Sequence, residues 1–221
     1  MSFDLPKATR ALLIANVAVF LLQLLAKDNS SLMLSQYFAL WPLGPEQTGM
    51  TPAGNVVHVG FQVWQLVTYG FLHGGVMHIL LNMYGLFLFG GAIERTLGTR
   101  NFVIYYFVCM IVAALAQLAV VHFFTGGFYP TIGASGAIFG ILLAFGMMFP
   151  HERLLLIFPP IELPAWMFVT GYGAIELIQG VLGTQAGIAH FAHLGGMLGG
   201  FLLIQYWRGK FPIKPKRRLM R

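Results

Sequence analysis

The chain has 221 residues, of which 57% are hydrophobic and 9% charged, and its mean hydropathy is +0.75. Soluble globular domains carry about 25% charged residues, so the composition excludes that class and indicates a protein with several membrane spans. The net charge of +6 does not indicate binding to nucleic acid, because the densest basic run, 208–221, directly follows an apolar span. That is where a cytoplasmic tail beside anionic lipid carries its charge.

Six apolar segments predict an all-α, polytopic membrane protein built as a bundle of six transmembrane helices. In chain order the segments are 11–27, 76–94, 101–124, 135–149, 164–182 and 188–207. A polar stretch that contains Gly and Pro, 28–65, separates the first two. The predicted organisation is one six-span domain, 1–207, followed by a basic cytoplasmic tail, 208–221.

Basic residues predict the orientation. Six spans place both termini on one side, and if that side is the cytoplasm it holds twelve of the 13 Lys and Arg residues. Lys27 alone is left outside, which is a strong positive-inside bias. We therefore expect a multi-pass protein of the inner (plasma) membrane with both termini in the cytoplasm.

Several polar side chains, including Glu176 and His190, lie inside these spans, where polar groups are costly and suggest function. Four of them form the candidate set. They are His78 and Asn82 in the second span, Ser135 at the start of the fourth, and His193 in the sixth. Counted from the cytoplasmic ends at 1.5 Å per residue, their depths are about 20 to 25 Å. The hydrocarbon core is about 30 Å thick. The four residues therefore share one layer, a few ångströms below the outer surface.

Glycine spacing predicts which helices meet. A small-xxx-small step lets two membrane helices approach with their backbones nearly touching. The steps are Gly136 and Gly140 after Ser135, and Gly196 and Gly200 after His193. We expect the fourth and sixth helices to pack closely and to bring the serine and histidine to about 2.6–3.2 Å.

This pattern predicts acyl-transfer chemistry. Ser135 would attack a carbonyl, with His193 as general base and then general acid. The Ser135 backbone N–H, Asn82 and His78 would stabilise the oxyanion. Glu176 lies in the fifth span, but the sequence does not connect it to His193, so a polar group paired within the bundle is the preferred interpretation.

A Ser–His dyad is therefore the expected catalytic unit, rather than a triad with a carboxylate. No metal and no cofactor are expected. The reason is that no Asp, Glu or Cys completes a ligand set at the depth of His78 and His193.

Three ordered motifs resemble those of the rhomboid intramembrane serine proteases. "GASG", 133–136, resembles the serine motif G-x-S-G, and "HGGVMHILLN", 73–82, resembles the second-span motif H-x-x-x-x-H-x-x-x-N. "AHLGGMLGG", 192–200, resembles A-H-x-x-G-x-x-x-G, and its register selects His193 rather than His190.

The resemblance implies a fold and a set of roles. It implies Ser135 as nucleophile, His193 as base, and His78, Asn82 and the Ser135 amide as oxyanion donors. It implies a membrane-dipping first loop, for whose interface the aromatic residues of 28–65 are suited, and a lateral opening near the fifth helix and an outer cap loop. Substrates would be transmembrane proteins, and the compact six-span form resembles bacterial members.

Several supporting residues follow from the same motifs. Gly133 would relax the turn before the serine, Phe139 would place an aromatic ring against the histidine, and His73 resembles a structural histidine at the end of the first loop. Two positions depart from the pattern of many relatives. Gln65 follows Trp64 where Trp-Arg is common, and Arg95 directly follows Glu94 where E-x-R is common.

Two other functions remain open. A non-catalytic rhomboid-like protein would bind client helices in the same cavity, and a transporter of small polar solutes would use the same buried polar groups. The identity of a substrate and the oligomeric state do not follow from the sequence.

Overall fold

The structure is a computed structural model that describes residues 5–26, 29–50, 54, 56–156, 160–183, 189–213 and 215. Two features of the sequence analysis lie wholly or mostly outside these residues. They are Lys27, the basic residue placed alone on the outer side, and most of the basic tail, 214 and 216–221.

Helices occupy all six predicted spans. They are α1 (Lys7–Leu25), α4 (Val76–Gly85) with α5 (Gly91–Leu97), α6 (Thr99–Val120), α7 (Ser135–Met148), α8 (Ala165–Leu182) and α9 (His190–Trp207). A π turn, Leu86–Gly90, joins α4 to α5 into one continuous span, and another, Val121–Thr125, extends α6. Four helical segments are long and apolar enough to cross a membrane: Lys7–Leu25, Val76–Leu97, Thr99–Thr125 and Ala165–Leu182. The prediction of an all-α, polytopic membrane protein is confirmed.

Proline and glycine set several helix ends. Pro6 and Pro164 precede α1 and α8 as N-cap residues, a position that suits proline because the first helical amides have no intrahelical acceptor. Pro150 follows the end of α7, and Gly183 ends α8 in the left-handed conformation at φ 62°. That conformation is common where a helix ends and favours glycine.

Helix α7 is shorter than the membrane is thick. Its 14 residues extend about 21 Å at 1.5 Å per residue, whereas the hydrocarbon core measures about 30 Å. A helix of this length does not by itself reach across the hydrocarbon core, so one of its ends lies inside the membrane if the other lies at a surface.

Two short hairpins connect spans, and the sequence analysis did not predict them. Strand β1 (Gln47–Met50) pairs antiparallel with β2 (Val56–Val59), and β3 (Arg153–Leu155) pairs antiparallel with β4 (Glu162–Pro164). Strands of three or four residues give too little alternation to be recognised in a sequence.

Gln65 organises the loop between the first two spans, which also contains α2 (Asn29–Phe38) and α3 (Gln65–Thr68). The side chain is 0% exposed. Its oxygen accepts hydrogen bonds from the backbone N–H groups of Trp41 and Gln62, and its nitrogen donates to the carbonyl of Gly60. This neutral amide satisfies its own polar atoms with backbone groups, so no arginine is needed at this position.

Helix α6 runs through the centre of the bundle and contacts both α7 and α9. The rings of Phe102, Tyr105 and Tyr106 on α6 are 0% exposed. Cys109, the single cysteine of the chain, is equally buried. Tyr105 does not bury its hydroxyl unpaired, because its O–H donates to the carbonyl of Gly140 on α7 at 2.7 Å.

Glu94 joins the first span to the second and third. The carboxylate is 2% exposed and accepts hydrogen bonds from the backbone N–H groups of Ala8 and Thr9 and from the hydroxyls of Thr9 and Thr99. A carboxylate at a helix N-terminus satisfies orphan amides and is favoured by the helix dipole. Arg95 is exposed beside it.

Candidate active site

The segment before α7 is fixed by backbone hydrogen bonds. Leu40 and Thr131 exchange two N–H···O bonds at 3.0 and 2.9 Å, and the N–H of Gly133 donates to the carbonyl of Tyr69. Gly133 has φ +122°, a conformation that side chains with a Cβ rarely adopt. The chain turns at this glycine and enters α7 at Ser135, so the serine is held by contacts on both sides of the turn.

A backbone contact brings α9 against α7. A Cβ added at Gly196 would coincide with the carbonyl group of Gly136, and one added at Gly136 would lie 3.5 Å from the carbonyl oxygen of Ala192. At position 196 only a residue without a side chain permits this approach, whereas at position 136 an added Cβ would meet Ala113 of α6. The close contact lies directly after Ser135 on α7 and about one turn after His193 on α9.

Ser135 and His193 lie at hydrogen-bonding distance. The serine Oγ is 2.7 Å from the histidine Nε2. His193 is 9% exposed, and Ser135 is partly exposed at the start of its helix. This is the separation that a hydroxyl nucleophile and its general base require.

Phe139 fixes the plane of the His193 ring. The two rings are stacked, with centroids 4.2 Å apart and an interplanar angle of 4°. The ring of Tyr172 on α8 lies beside that of Phe139, with centroids 5.5 Å apart and an interplanar angle of 37°. Rotation of His193 about its side-chain bonds is therefore restricted by an aromatic surface one turn after the serine.

The expectation that no carboxylate lies in position beside His193 is wrong. Glu176 Oε2 is 2.7 Å from Nδ1 of His190 and 2.9 Å from Nδ1 of His193. The first contact is a hydrogen bond, whereas the second has the distance of an ion pair but not the geometry of a straight hydrogen bond. Glu176 is 6% exposed, so these two histidines are what it contacts in place of water.

A signal for this contact was present in the sequence. His190 and His193 are three residues apart and share one face of α9. A carboxylate that contacts one of these histidines is therefore close to the other. What the sequence does not give is the rotation of α8 about its axis, which turns Glu176 toward α9.

The three side chains also form the type of group that can bind a metal ion. The nitrogen and oxygen atoms that Glu176, His190 and His193 could offer lie within 4.8 Å of one another. The expectation that no Asp, Glu or Cys lies close enough to His193 to share a metal ion is therefore wrong. Ligands on a tetrahedral zinc at about 2.0–2.1 Å would be roughly 3.3 Å apart. The N···O separations of 2.7 and 2.9 Å are shorter and fit direct hydrogen bonding and ion pairing.

His78 lies over the turn before the serine. A Cβ at Gly133 would be 2.7 Å from His78 Nε2 and 3.8 Å from Ser135 Oγ, so the glycine admits the imidazole beside the nucleophile. The N–H of Gly74 donates to His78 Nδ1 at 3.2 Å. A ring nitrogen that accepts is unprotonated, so the neutral ring carries its hydrogen on Nε2. The hydrogen therefore points to the serine side.

His73 supports His78 from the preceding loop. Its ring packs edge-on against that of His78, with centroids 5.1 Å apart, and its backbone exchanges two hydrogen bonds with the side chain of Gln23 on α1. Burial, and secondly the nearby His78, lower the pKa of His73 to about 4. The ring is therefore uncharged near neutral pH.

Asn82 is buried one turn after His78, at 6% exposure. Its side-chain nitrogen donates to the carbonyl of His78 at 2.9 Å, which occupies one of the two N–H groups of the amide. Within the described residues no hydrogen bond joins Asn82 to Ser135. The structure thus brings Ser135, His193 and His78 together and leaves Asn82 bonded to its own helix.

Comparison with known proteins identifies the family. The Rhomboid domain model matches residues 60–209, and the chain therefore belongs to the rhomboid family. It is 32% identical over 215 residues to RHOMBOID-like protein 1 of Arabidopsis thaliana, an alignment that covers 90% of this chain and 52% of the relative.

Two further relatives carry mitochondrial names. Rhomboid protein 1, mitochondrial, of Saccharomyces cerevisiae is 32% identical, with 67% of this chain and 43% of the relative covered. Presenilin-associated rhomboid-like protein, mitochondrial, of Mus musculus is 33% identical, with 65% of this chain and 39% of the relative covered. The chain thus spans about half or less of the length of these curated relatives.

The helix contact at Gly196 leads to a prediction about stability. Gly196→Ala places a methyl group in the space of the Gly136 carbonyl, and overpacking of this kind costs about 1–3 kcal/mol. We expect a clearly lower thermal unfolding temperature in detergent. Gly171→Ala on α8 is the matched control, because a Cβ there meets nothing within 4 Å. Equal unfolding temperatures for the two variants would contradict a backbone-to-backbone contact.

Proposed function

We propose that this protein is an intramembrane serine protease that hydrolyses peptide bonds in or near transmembrane segments of other membrane proteins. The observation that carries the proposal is the 2.7 Å separation of Ser135 Oγ and His193 Nε2. Membership of the rhomboid family and the depth of Ser135 at the start of a short helix support the same conclusion.

The proposed reaction begins with attack by the serine. Ser135 Oγ forms a bond to the carbonyl carbon of the scissile peptide while its proton passes to His193 Nε2. Collapse of the tetrahedral intermediate breaks the C–N bond, and His193 gives the proton to the leaving amine. Water then attacks the acyl-serine with His193 again as base, which releases the second product and restores Ser135.

Three donors are proposed for the oxyanion. The backbone N–H of Ser135 is one of the first amides of α7, which have no intrahelical acceptor and lie at the positive end of the helix dipole. The Nε2–H of His78 points to the serine side of Gly133, as its hydrogen bond from Gly74 requires. Asn82 has a second amide hydrogen and completes the set after a side-chain rotation.

Substrate entry is proposed beside α8. Most side chains of this helix are exposed, so it packs less completely into the bundle than α7 or α9. The first loop exposes Phe38 and Trp64, which suits an aromatic contact with the bilayer interface. We infer that this loop dips into the membrane while α8 borders the path of the substrate helix.

We infer an orientation with both termini in the cytoplasm of the inner (plasma) membrane. Seven described basic residues lie at or near helix ends, and six alternating spans would place all of them on one side: Lys7, Arg10, Arg95, Arg100, Arg153, Arg208 and Lys210. Such a bias is typical of cytoplasmic loops. The mitochondrial names of two relatives belong to those proteins, and a bacterial source stays a prediction from the six-span form.

Removing the nucleophile or the base is the direct test of the proposal. We expect Ser135→Ala and His193→Ala each to abolish cleavage of a model single-span substrate in proteoliposomes. A fluorophosphonate probe should label the unaltered protein and fail to label Ser135→Ala. Retained cleavage in Ser135→Ala would contradict the proposal. An unlabelled, inactive protein that still captures client helices would favour a non-catalytic rhomboid-like function, and solute uptake that survives Ser135→Ala would favour a transporter.

Loss of an oxyanion donor should lower turnover more than substrate binding. For Asn82→Ala and His78→Ala we expect kcat to fall by about 10²–10³-fold, the usual cost of one such donor, with KM changed much less. Steady-state kinetics on the same substrate measure this difference. A fall in apparent affinity alone would show that these side chains only shape the cavity.

Cysteine accessibility tests the orientation. Tyr129→Cys, in the exposed segment before α7, should react with a membrane-impermeant maleimide on intact cells, whereas Lys210→Cys should react only after permeabilisation. The native Cys109 is 0% exposed and supplies little background. The reverse pattern of labelling would overturn the inferred orientation.

A further inference from the structure

We propose that Glu176 is a positioning residue for His193, a carboxylate that faces the base of the Ser135–His193 pair from the side away from the serine. The inference rests on the proposed function, because it concerns the base of the same reaction. It departs from the expectation of a dyad that the sequence motifs imply. The carboxylate reaches the site from α8, the span with the fewest buried residues among those that surround it.

The direction of the hydrogen on His193 makes an acceptor necessary. Nε2 must be unprotonated to take the proton of Ser135, so the neutral ring carries its hydrogen on Nδ1. A buried Nδ1–H that faces no negative atom is unfavourable. The tautomer with its hydrogen on Nε2, which cannot accept the serine proton, would then be more populated. Glu176 Oε2 is the negatively charged atom that faces this nitrogen, 2.9 Å away in an ion-pair contact that is bent from straight hydrogen-bond geometry.

The charge of Glu176 matters at the next step. When His193 has taken the proton it is an imidazolium in a water-poor layer, where an opposite charge at close distance has a large effect. In serine hydrolases generally, a carboxylate at this position orients the histidine and stabilises the imidazolium without taking its proton. The 2.9 Å contact places Glu176 for both tasks.

His190 explains how the carboxylate is held in place. Its Nδ1 donates the straighter and shorter hydrogen bond to the same oxygen, at 2.7 Å. A single carboxylate oxygen thus faces two imidazole nitrogens on one face of α9. The shorter contact is to His190, whereas His193 is the histidine that contacts Ser135. His190 holds Glu176, and Glu176 faces His193.

A purely structural role predicts a different outcome from a positioning role. If Glu176 only fastened α8 to α9, its replacement would lower stability and leave the chemistry of the remaining folded protein unchanged. If it positions His193, an isosteric amide keeps one acceptor oxygen for the helix contact but loses the charge that faces the imidazolium. Turnover then falls while stability changes little.

The test is Glu176→Gln, with Glu94→Gln as the matched control. Glu94 is also a buried carboxylate, but its hydrogen bonds go to the start of α1 and to Thr99, and none goes to Ser135 or His193 among the described residues. We expect Glu176→Gln to lower kcat on the order of 10²-fold, within the range for general acid–base catalysis, with KM within about twofold and little change in unfolding temperature. We expect Glu94→Gln to lower the unfolding temperature and to leave kcat of the folded protein unchanged.

The same variants should be compared by the rate at which the fluorophosphonate probe labels Ser135. This rate measures the reactivity of the serine hydroxyl and does not require a substrate helix to bind. A slower rate for Glu176→Gln supports the inference. Unchanged kcat and labelling rate in Glu176→Gln, beside an active parent protein and an inactive Ser135→Ala, would overturn the inference and leave the proposed function intact. A parent protein that neither cleaves nor is labelled would refute the proposed function, and the inference with it.

Discussion

The active arrangement depends on a contact between two helix backbones. Gly196 of α9 lies against the carbonyl of Gly136 on α7, and no other residue type fits between them. Lipid tails are as apolar as the side chains they surround, so membrane helices associate by close packing rather than by the hydrophobic effect. This contact sets the separation of the helices. Ser135 directly precedes Gly136 and His193 lies three residues before Gly196, so the two side chains meet beside the contact.

Further glycines of α9 extend the same principle to a third helix. A Cβ at Gly195 would meet Ala116 of α6, and one at Gly199 would meet Val112. One side of α9 therefore fits against α6 while the adjacent side fits against α7. The histidine is positioned by packing along two faces of its helix, and the stacked ring of Phe139 then limits the rotation of its side chain.

The part of the site that depends on helical rise could be predicted from the sequence, whereas the part that depends on helix rotation could not. A residue in an apolar span has a depth that follows from counting, so the common layer of Ser135, His193 and His78 could be derived. Glu176 could also be placed in the membrane. Which helix it faces depends on the rotation of α8 and on the connection between α8 and α9, for which the sequence has no periodic signal. The two hairpins were missed for a related reason, since their strands are shorter than any pattern that could reveal them.

Helix α8, all of whose residues the structure describes, buries Ala165 and Val169 near its start and Glu176 in its second half. The carboxylate is thus the main polar attachment of that half to α9. With the proposed role of Glu176, the position of α8 and the charge on His193 are thermodynamically linked. The imidazolium would favour the observed position of α8, and displacement of α8 would raise the free energy of the charged intermediate. A substrate that separates α8 from α9 as it enters would therefore delay its own cleavage until the helix returns.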